Sequence, residues 1–145
     1  MYEYRCKVVR VVDGDTVDVD IDLGFGVWLR GERVRLYGID TPESRTRDPI
    51  EKVYGKYASK FLCEHLGEES TLRTRKDGKG KFGRILGEFI VYDAETDSYR
   101  SVNTMMVEKH IAVEYFGQSK DEIEEQHLAN RKILQLTEED KDVTT

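Results

Sequence analysis

Three short segments of this chain carry side chains that suit metal and phosphate chemistry. They are residues 12–16 (VDGDT), 35–43 (RLYGIDTPE) and 81–84 (KFGR). Two carboxylates, joined by a backbone carbonyl and water, form the hard oxygen site that calcium and magnesium prefer. Arginine adds a planar guanidinium whose paired donors match the oxygens of a phosphate. These residue types together would meet the needs of phosphodiester cleavage, which are a cation, donors for the transition state and a base that orients water.

Each segment alone has a simpler structural explanation. Asp13-Gly14 is in most sequences only a turn, and residues 40–43 are compatible with a helix N-cap followed by a turn. Arg35 within an alternating strand is typical of a solvated face, and Gly83-Arg84 of the end of a loop. Only their joint occurrence, in this order, favours a shared site.

The predicted strands bring the two carboxylates together. Asp15 begins the second predicted strand and Asp40 ends the third, so two neighbouring strands would place them side by side. Glu43, three residues after Asp40, is then placed to hold an attacking water. Arg35 and Arg84 offer the bidentate donors for a phosphate.

The elements that must position these residues follow from the hydrophobic pattern. Alternation of apolar and polar residues predicts strands over about 4–8, 16–23, 33–37, 71–76 and 84–92. Helices are predicted over 56–66, from 102 to about 110, and after a capping box at residues 119–122. Three strands, a helix and two more strands is the order of an OB-fold barrel. We therefore expect one mainly β domain with helices over residues 1–136 and a frayed tail over 137–145.

The charge of the chain is unevenly distributed. A formal net charge of -6 argues against broad attraction to nucleic acid. Residues 72–84 nevertheless hold six basic side chains and one acid, whereas acids are densest at 121–125 and 138–142. A local basic face on an acidic body is compatible with contact to a nucleic-acid backbone.

Targeting signals are absent from the sequence pattern. No apolar run approaches the roughly 20 residues that a membrane-spanning helix requires, so no membrane partner is expected. Residues 1–6 (MYEYRC) form no apolar signal core, which predicts a cytoplasmic location unless a signal has been removed from the sequence.

The conjunction of DGDT at 13–16, R-x-x-x-x-DTPE at 35–43 and GR at 83–84 resembles the staphylococcal nuclease family, also called thermonucleases or micrococcal nucleases. The resemblance extends from about residue 4 to about residue 133. It implies an OB-fold five-stranded β-barrel with three helices. It also implies calcium-dependent hydrolysis of DNA and RNA, with little sequence specificity and with 3′-phosphate ends as products.

The resemblance assigns roles to the residues that match the family motifs. The calcium ligands would be Asp15, Asp40 and the carbonyl of Thr41, and the catalytic residues would be Arg35, Glu43 and Arg84. Asp13 would support the metal through water. Lys81 and Phe82 match a pair that contacts the 5′-phosphate and a base, and Tyr115 or Phe116 matches a base-stacking tyrosine, although Tyr115 is also compatible with the core. Residues 24–32 depart from the family because they are longer than a tight hairpin, and residues 44–49 do not align with its flexible basic loop.

Two other functions compete with an active nuclease. The first is a catalytically weak nucleic-acid-binding module of the same fold, which the presence of both carboxylates, both arginines and the glutamate disfavours. The second is an unrelated OB-fold binder, for which the carboxylates would be incidental. No obligate protein partner is evident. The histidines at 65, 110 and 127 show no ligand spacing, and we predict that all three are structural or solvated.

Overall fold

The alternating first third of the chain forms three long antiparallel strands in the computed structural model, which describes residues 2–75 and 83–136. They are β1 (Tyr2–Asp13), β2 (Thr16–Gly24) and β3 (Val27–Leu36). In β2 the odd-numbered Val17, Val19 and Ile21 are buried, while the acidic residues between them are partly exposed. The period of two therefore turns the apolar side of the strand toward the core, as predicted.

Eight further elements follow. They are β4 (Ile39–Asp40), α1 (Pro49–Leu66), β5 (Glu69–Thr74), β6 (Ile85–Asp93), β7 (Ser98–Ser101), α2 (Val102–Glu108), β8 (Val113–Glu114) and α3 (Lys120–Leu134). The main sheet has the strand order β3-β2-β1-β5-β6-β7, and a parallel pairing of β3 with β6 closes five of these strands into a ring. This ring with three helices confirms the predicted OB-type barrel.

The core fills the ring and the space beneath the helices. Its largest fully buried side chains are Leu36, Leu62, Leu72, Phe89, Met105 and Met106. α1 packs on β1 and β6, and its buried face includes Ala58, Leu62 and Leu66. Within the described part of the chain, no helix is long and apolar enough to span a bilayer.

Helix α1 begins seven residues earlier than the predicted start at Lys56. Asp48 caps it, because the Asp48 Oδ1 accepts hydrogen bonds from the backbone N–H groups of Ile50 and Glu51 at 2.9 and 3.2 Å. Pro49 occupies the first turn, where its missing N–H costs no hydrogen bond. The sequence prediction overlooked this cap and assigned residues 49–55 to the preceding loop.

Two expectations about strand ends are also wrong. Residues 24–32 were expected to exceed a tight hairpin, but β2 and β3 join at a two-residue turn, Phe25-Gly26. The remaining residues of this stretch belong to the two strands. One residue in excess is absorbed by a bulge near Gly31, whose N–H donates to Asp20 Oδ1 at 2.8 Å. The third strand ends at Leu36, so Asp40 lies in the separate strand β4, which pairs with β8.

Candidate active site

Asp15 and Asp40 converge on one side chain. The Nη2 atom of Arg35 lies 3.4 Å from Asp15 Oδ2 and 3.5 Å from Asp40 Oδ1. The predicted meeting of the two carboxylates is therefore present in the structure, with Arg35 between them.

The tight turn between β1 and β2 places Asp15. Its carbonyl accepts from the N–H of Leu36 at 2.8 Å, and its Oδ2 accepts from the N–H of Thr41 at 3.3 Å. Burial raises the pKa of the Asp15 carboxyl, the guanidinium of Arg35 opposes the rise, and the charge of Asp13 adds to it. A buried carboxylate with a raised pKa is a group whose charge a bound cation would stabilise.

Arg35 is fixed by the backbone of the turn that follows its own strand. Its Nη1 donates to the carbonyl oxygens of Leu36 and Ile39, each at 3.0 Å. These two bonds hold the guanidinium plane and aim its Nη2 edge at the carboxylates. In this orientation the guanidinium is bound to the carboxylates, so donation to a phosphate would require its Nη2 edge to turn away from them.

The loop that carries Thr41 and Glu43 lies on helix α1. Thr41 and Ser44 are buried, whereas Glu43 is exposed. Gly55 permits this close approach, because a Cβ atom at Gly55 would lie 2.3 Å from the carbonyl oxygen of Glu43. Asp13 fastens the other side, since its Oδ1 accepts from the N–H of Ser44 at 3.3 Å.

An open cleft of about 680 Å³ borders this cluster. Its lining includes Arg35, Asp40, Arg84, Tyr115, Phe116 and Lys120. Tyr115 and Phe116 are 47% and 76% exposed, so the expectation that Tyr115 could belong to the core is wrong. Arg84 precedes β6 and is half-buried at the cleft wall. The predicted substrate contacts Lys81 and Phe82 lie outside the described residues.

Comparison with known proteins identifies the family of this chain. Residues 33–141 match the model of the family described as staphylococcal nuclease homologue. The chain belongs to the staphylococcal nuclease family. It is 41% identical over 80 residues to a thermonuclease of Staphylococcus intermedius, covering 54% of this chain and 44% of that protein. It is 29% identical over 124 residues to a micrococcal nuclease of Shigella flexneri, covering 82% of this chain and 64% of that protein.

A third relative extends the same comparison. A thermonuclease of Staphylococcus hyicus is 38% identical over 85 residues, which cover 58% of this chain and 47% of that protein. The chain thus spans less than half the length of the two thermonucleases that it matches. The family match begins at residue 33 and includes Arg35, Asp40, Glu43 and Arg84, whereas Asp15 precedes it.

The donors of this staphylococcal nuclease homologue suit a hard divalent cation. Asp15 Oδ2 and Asp40 Oδ1 both face the point that Arg35 Nη2 occupies, so a cation bound by both carboxylates would displace this edge of the guanidinium. The Thr41 hydroxyl is buried next to Gly14 without a hydrogen-bond partner. No group of three or more acidic, histidine or cysteine side chains with metal-site geometry occurs in residues 2–75 and 83–136. A cation here would therefore take two protein carboxylates and complete its shell with carbonyl oxygen, water and substrate.

A second cleft, of about 510 Å³, lies on the other side of Asp40. Glu43 lines this cleft together with Asp40, Glu51, Lys120 and His127. Asp40 and Lys120 line both clefts, whereas Glu43 lines only this one of the two and Arg84 only the other.

His127 was missed by the sequence interpretation. Its Nε2 lies 2.8 Å from Asp40 Oδ2, although the two residues are 87 positions apart. The prediction that all three histidines are structural or solvated allows this contact but did not identify its partner. His65 fits it, because its Nδ1 lies 2.8 Å from the carbonyl oxygen of Phe61 in its own helix. No spacing rule connects His127 to Asp40, since only tertiary folding brings α3 beside β4.

Proposed function

We propose that this chain is a calcium-dependent endonuclease that hydrolyses DNA and RNA with little sequence specificity and leaves 3′-phosphate ends. The observation that carries the proposal is the convergence of Asp15 and Asp40 on Arg35 at the edge of a cleft that also holds Arg84. Family membership and the names of the relatives, thermonuclease and micrococcal nuclease, support the same activity.

The carboxylates would bind the cation, and the arginines would bind the phosphate. Asp15, Asp40 and the Thr41 carbonyl are the ligands we assign to calcium, which when bound supplies charge neutralisation at the phosphate. Asp15 is buried and held by the Thr41 N–H, so its position needs little adjustment on binding. Arg35, once its Nη2 edge turns from the carboxylates, and Arg84 would then donate to the phosphate oxygens, where negative charge grows in the transition state.

Glu43 is the residue that we assign as general base. Its side chain is exposed on a loop whose backbone is fixed on both sides, by Glu51 at the Glu43 N–H and by Asp13 at the Ser44 N–H. Glu43 would accept a proton from water as the water oxygen bonds to phosphorus. The bond from phosphorus to the 5′-oxygen breaks, the leaving oxygen takes a proton from solvent, and the phosphate stays on the 3′ end.

The exposed aromatic rings at the cleft would favour an unpaired strand, whose bases are free to stack. Tyr115 and Phe116 present exposed rings beside the arginines, and aromatic rings stack on bases without regard to their identity. The chain's net charge of -6 leaves little non-specific attraction outside the basic residues clustered in the sequence at 72–84. We therefore propose low sequence specificity and a preference for single-stranded regions.

A digestion series tests the proposal. Single-stranded DNA, duplex DNA and RNA are each incubated with the protein in calcium, in magnesium or in excess chelator, and the product ends are mapped with a 3′-phosphatase. Cleavage in calcium with 3′-phosphate ends is expected, and it should be lost in Asp40→Asn but kept in the exposed control Asp121→Asn. Full cleavage in chelator would refute the metal requirement. Nucleic-acid binding without any cleavage would show instead the catalytically weak binding module.

A further inference from the structure

Helix α3 packs against the barrel through a narrow and largely polar face. The partly exposed positions Ile123, His127, Asn130, Arg131 and Leu134 recur with helical spacing, and no residue of the helix is fully buried. Asn130 Nδ2 donates to the Ala112 carbonyl at 3.4 Å, and the Arg131 carbonyl accepts from the Tyr54 hydroxyl at 3.2 Å. Specific polar contacts, more than buried apolar area, therefore decide where this helix lies.

One of these contacts reaches the cluster of carboxylates. The His127 and Asp40 side chains are 11% and 31% exposed, and the 2.8 Å contact between Nε2 and Oδ2 joins them. A carboxylate only accepts hydrogen bonds, so Nε2 is the donor. The other oxygen of the same carboxylate, Asp40 Oδ1, faces Arg35 at 3.5 Å. The two oxygens of Asp40 are thus divided between α3 and the proposed metal position.

We propose that His127 is a positioning residue for the metal-binding carboxylate of Asp40, an inference that rests on the proposed function. Asp40 is only half-buried and sits in a strand of two residues, and its contact with His127 is shorter, at 2.8 Å, than its ion pair with Arg35, at 3.5 Å. The hydrogen bond to His127 selects the rotamer that presents Oδ1 to the cation. Donors that orient a ligand in this way typically contribute about 10- to 100-fold in metal affinity.

A consequence is that α3 governs calcium affinity without supplying a ligand. The helix would act through one side chain, and its other contacts with the barrel would hold the helix but leave the metal site unchanged. His127 and Asn130 lie on the same face of α3. In the described structure the His127 side chain is bonded to Asp40, whereas the Asn130 side chain is bonded to the Ala112 carbonyl. This separates orientation of Asp40 from general docking of α3.

Calorimetric titration of the full chain with calcium, without substrate, tests the proposal. His127→Leu removes the donor, His127→Gln keeps an amide N–H near the place of Nε2, and His127→Asn carries its amide too short. We expect the calcium Kd to rise about tenfold or more in His127→Leu and His127→Asn, and to stay within about threefold of wild type in His127→Gln. Asn130→Ala, the control for helix docking, should stay within about twofold.

Melting in chelator accompanies each titration and shows whether the variants remain folded. If His127→Leu does not fold, the comparison of His127→Gln with His127→Asn carries the same test. Equal calcium affinity in wild type and His127→Leu would overturn the proposal and leave the proposed function intact. Loss of affinity in Asn130→Ala as large as in His127→Leu would also overturn it. A wild type that binds no calcium would refute the metal assignment itself, and this inference with it.

Discussion

The two arginines assigned to the phosphate are held in different ways. Arg35 uses Nη1 on two backbone carbonyls and Nη2 on two carboxylates, so its replacement would disturb the loop as well as the chemistry. Arg84 immediately precedes β6 and lines the same cleft. Arg84→Lys is the variant with which we measure the contribution of a guanidinium to the reaction.

Arg84→Lys should lower turnover far more than it lowers substrate affinity. Lysine keeps the positive charge but loses the paired N–H donors of the guanidinium. We expect the negative charge that develops in the transition state to require the paired donors of both Arg35 and Arg84. We expect a fall of about a thousandfold in the single-turnover rate on short single-stranded DNA, with less than about a threefold change in Kd. Arg5→Lys, a change at a highly exposed arginine of β1, is the control. If binding collapses while the saturating rate survives, Arg84 only grips the backbone.

Asp15→Asn should stabilise the metal-free protein at neutral pH. Burial raises the folded-state pKa of Asp15, so the folded state favours the protonated form and is penalised when the carboxyl ionises. The contribution of Asp15 to stability is full below its unfolded pKa and is lost as pH rises through the folded pKa. The variant should therefore gain about 1 kcal/mol over wild type at pH 7 and nothing at pH 3. Urea unfolding in chelator at both pH values measures this, and a gain at pH 3 alone would contradict it.

Helix α1 supports the loop that carries Thr41 and Glu43. Glycine inside a helix costs about 1 kcal/mol relative to alanine. Gly55 nevertheless sits in the middle of α1, where a Cβ would lie 2.3 Å from the Glu43 carbonyl oxygen and 2.6 Å from the Ser44 nitrogen. Packing of the loop therefore outweighs helix propensity at this position.

Gly55→Ala should accordingly lose both stability and activity, although alanine is the better helix former. The added methyl pushes the backbone of Glu43 and Ser44, and overpacking of this kind costs about 1–3 kcal/mol. We expect a lower midpoint of unfolding and a reduced cleavage rate at saturating calcium and substrate. Lys56→Ala, the neighbouring change with favourable helix propensity, should leave both nearly unchanged. A stabilised and fully active Gly55→Ala would show that the loop does not depend on this contact.

The elements that sequence could predict were those with a strong local signal. The strict alternation of residues 16–23 gave β2, and Ser119 caps α3 by accepting from the Glu122 N–H at 3.2 Å, as the capping motif indicated. The start of α1 was missed because Asp48-Pro49 also suits a loop, and only the hydrogen bonds of the cap distinguish the two. The contact of His127 with Asp40 has no local signal, because it depends on how a weakly buried helix settles on the barrel.

Calcium should stabilise the whole domain as well as complete its site. A ligand that binds only the folded state, at a hundred times its Kd, adds about 2.7 kcal/mol, which is roughly 10 °C in Tm for a domain of this size. Melting curves at rising calcium concentration measure the shift. Asp40→Asn should show almost none of it, and magnesium should give a smaller one because its stricter geometry fits two carboxylates less well. An equal shift in Asp40→Asn would place the calcium elsewhere on the molecule.

The seam of the barrel carries a consequence for how this protein becomes functional. β3 and β6 meet over three parallel pairs, Val34 with Ile85, Arg35 with Leu86 and Leu36 with Gly87. Arg35 lies in β3, one strand of this seam, and Arg84 lies immediately before β6, the other strand. The two arginines that we propose to bind the phosphate are thus separated until two distant stretches of chain have joined, a slow step in folding. The rate at which cleavage activity returns during refolding should then equal the rate at which β3 pairs with β6. A chain that has formed its helices and hairpins but not this pairing should cleave no nucleic acid.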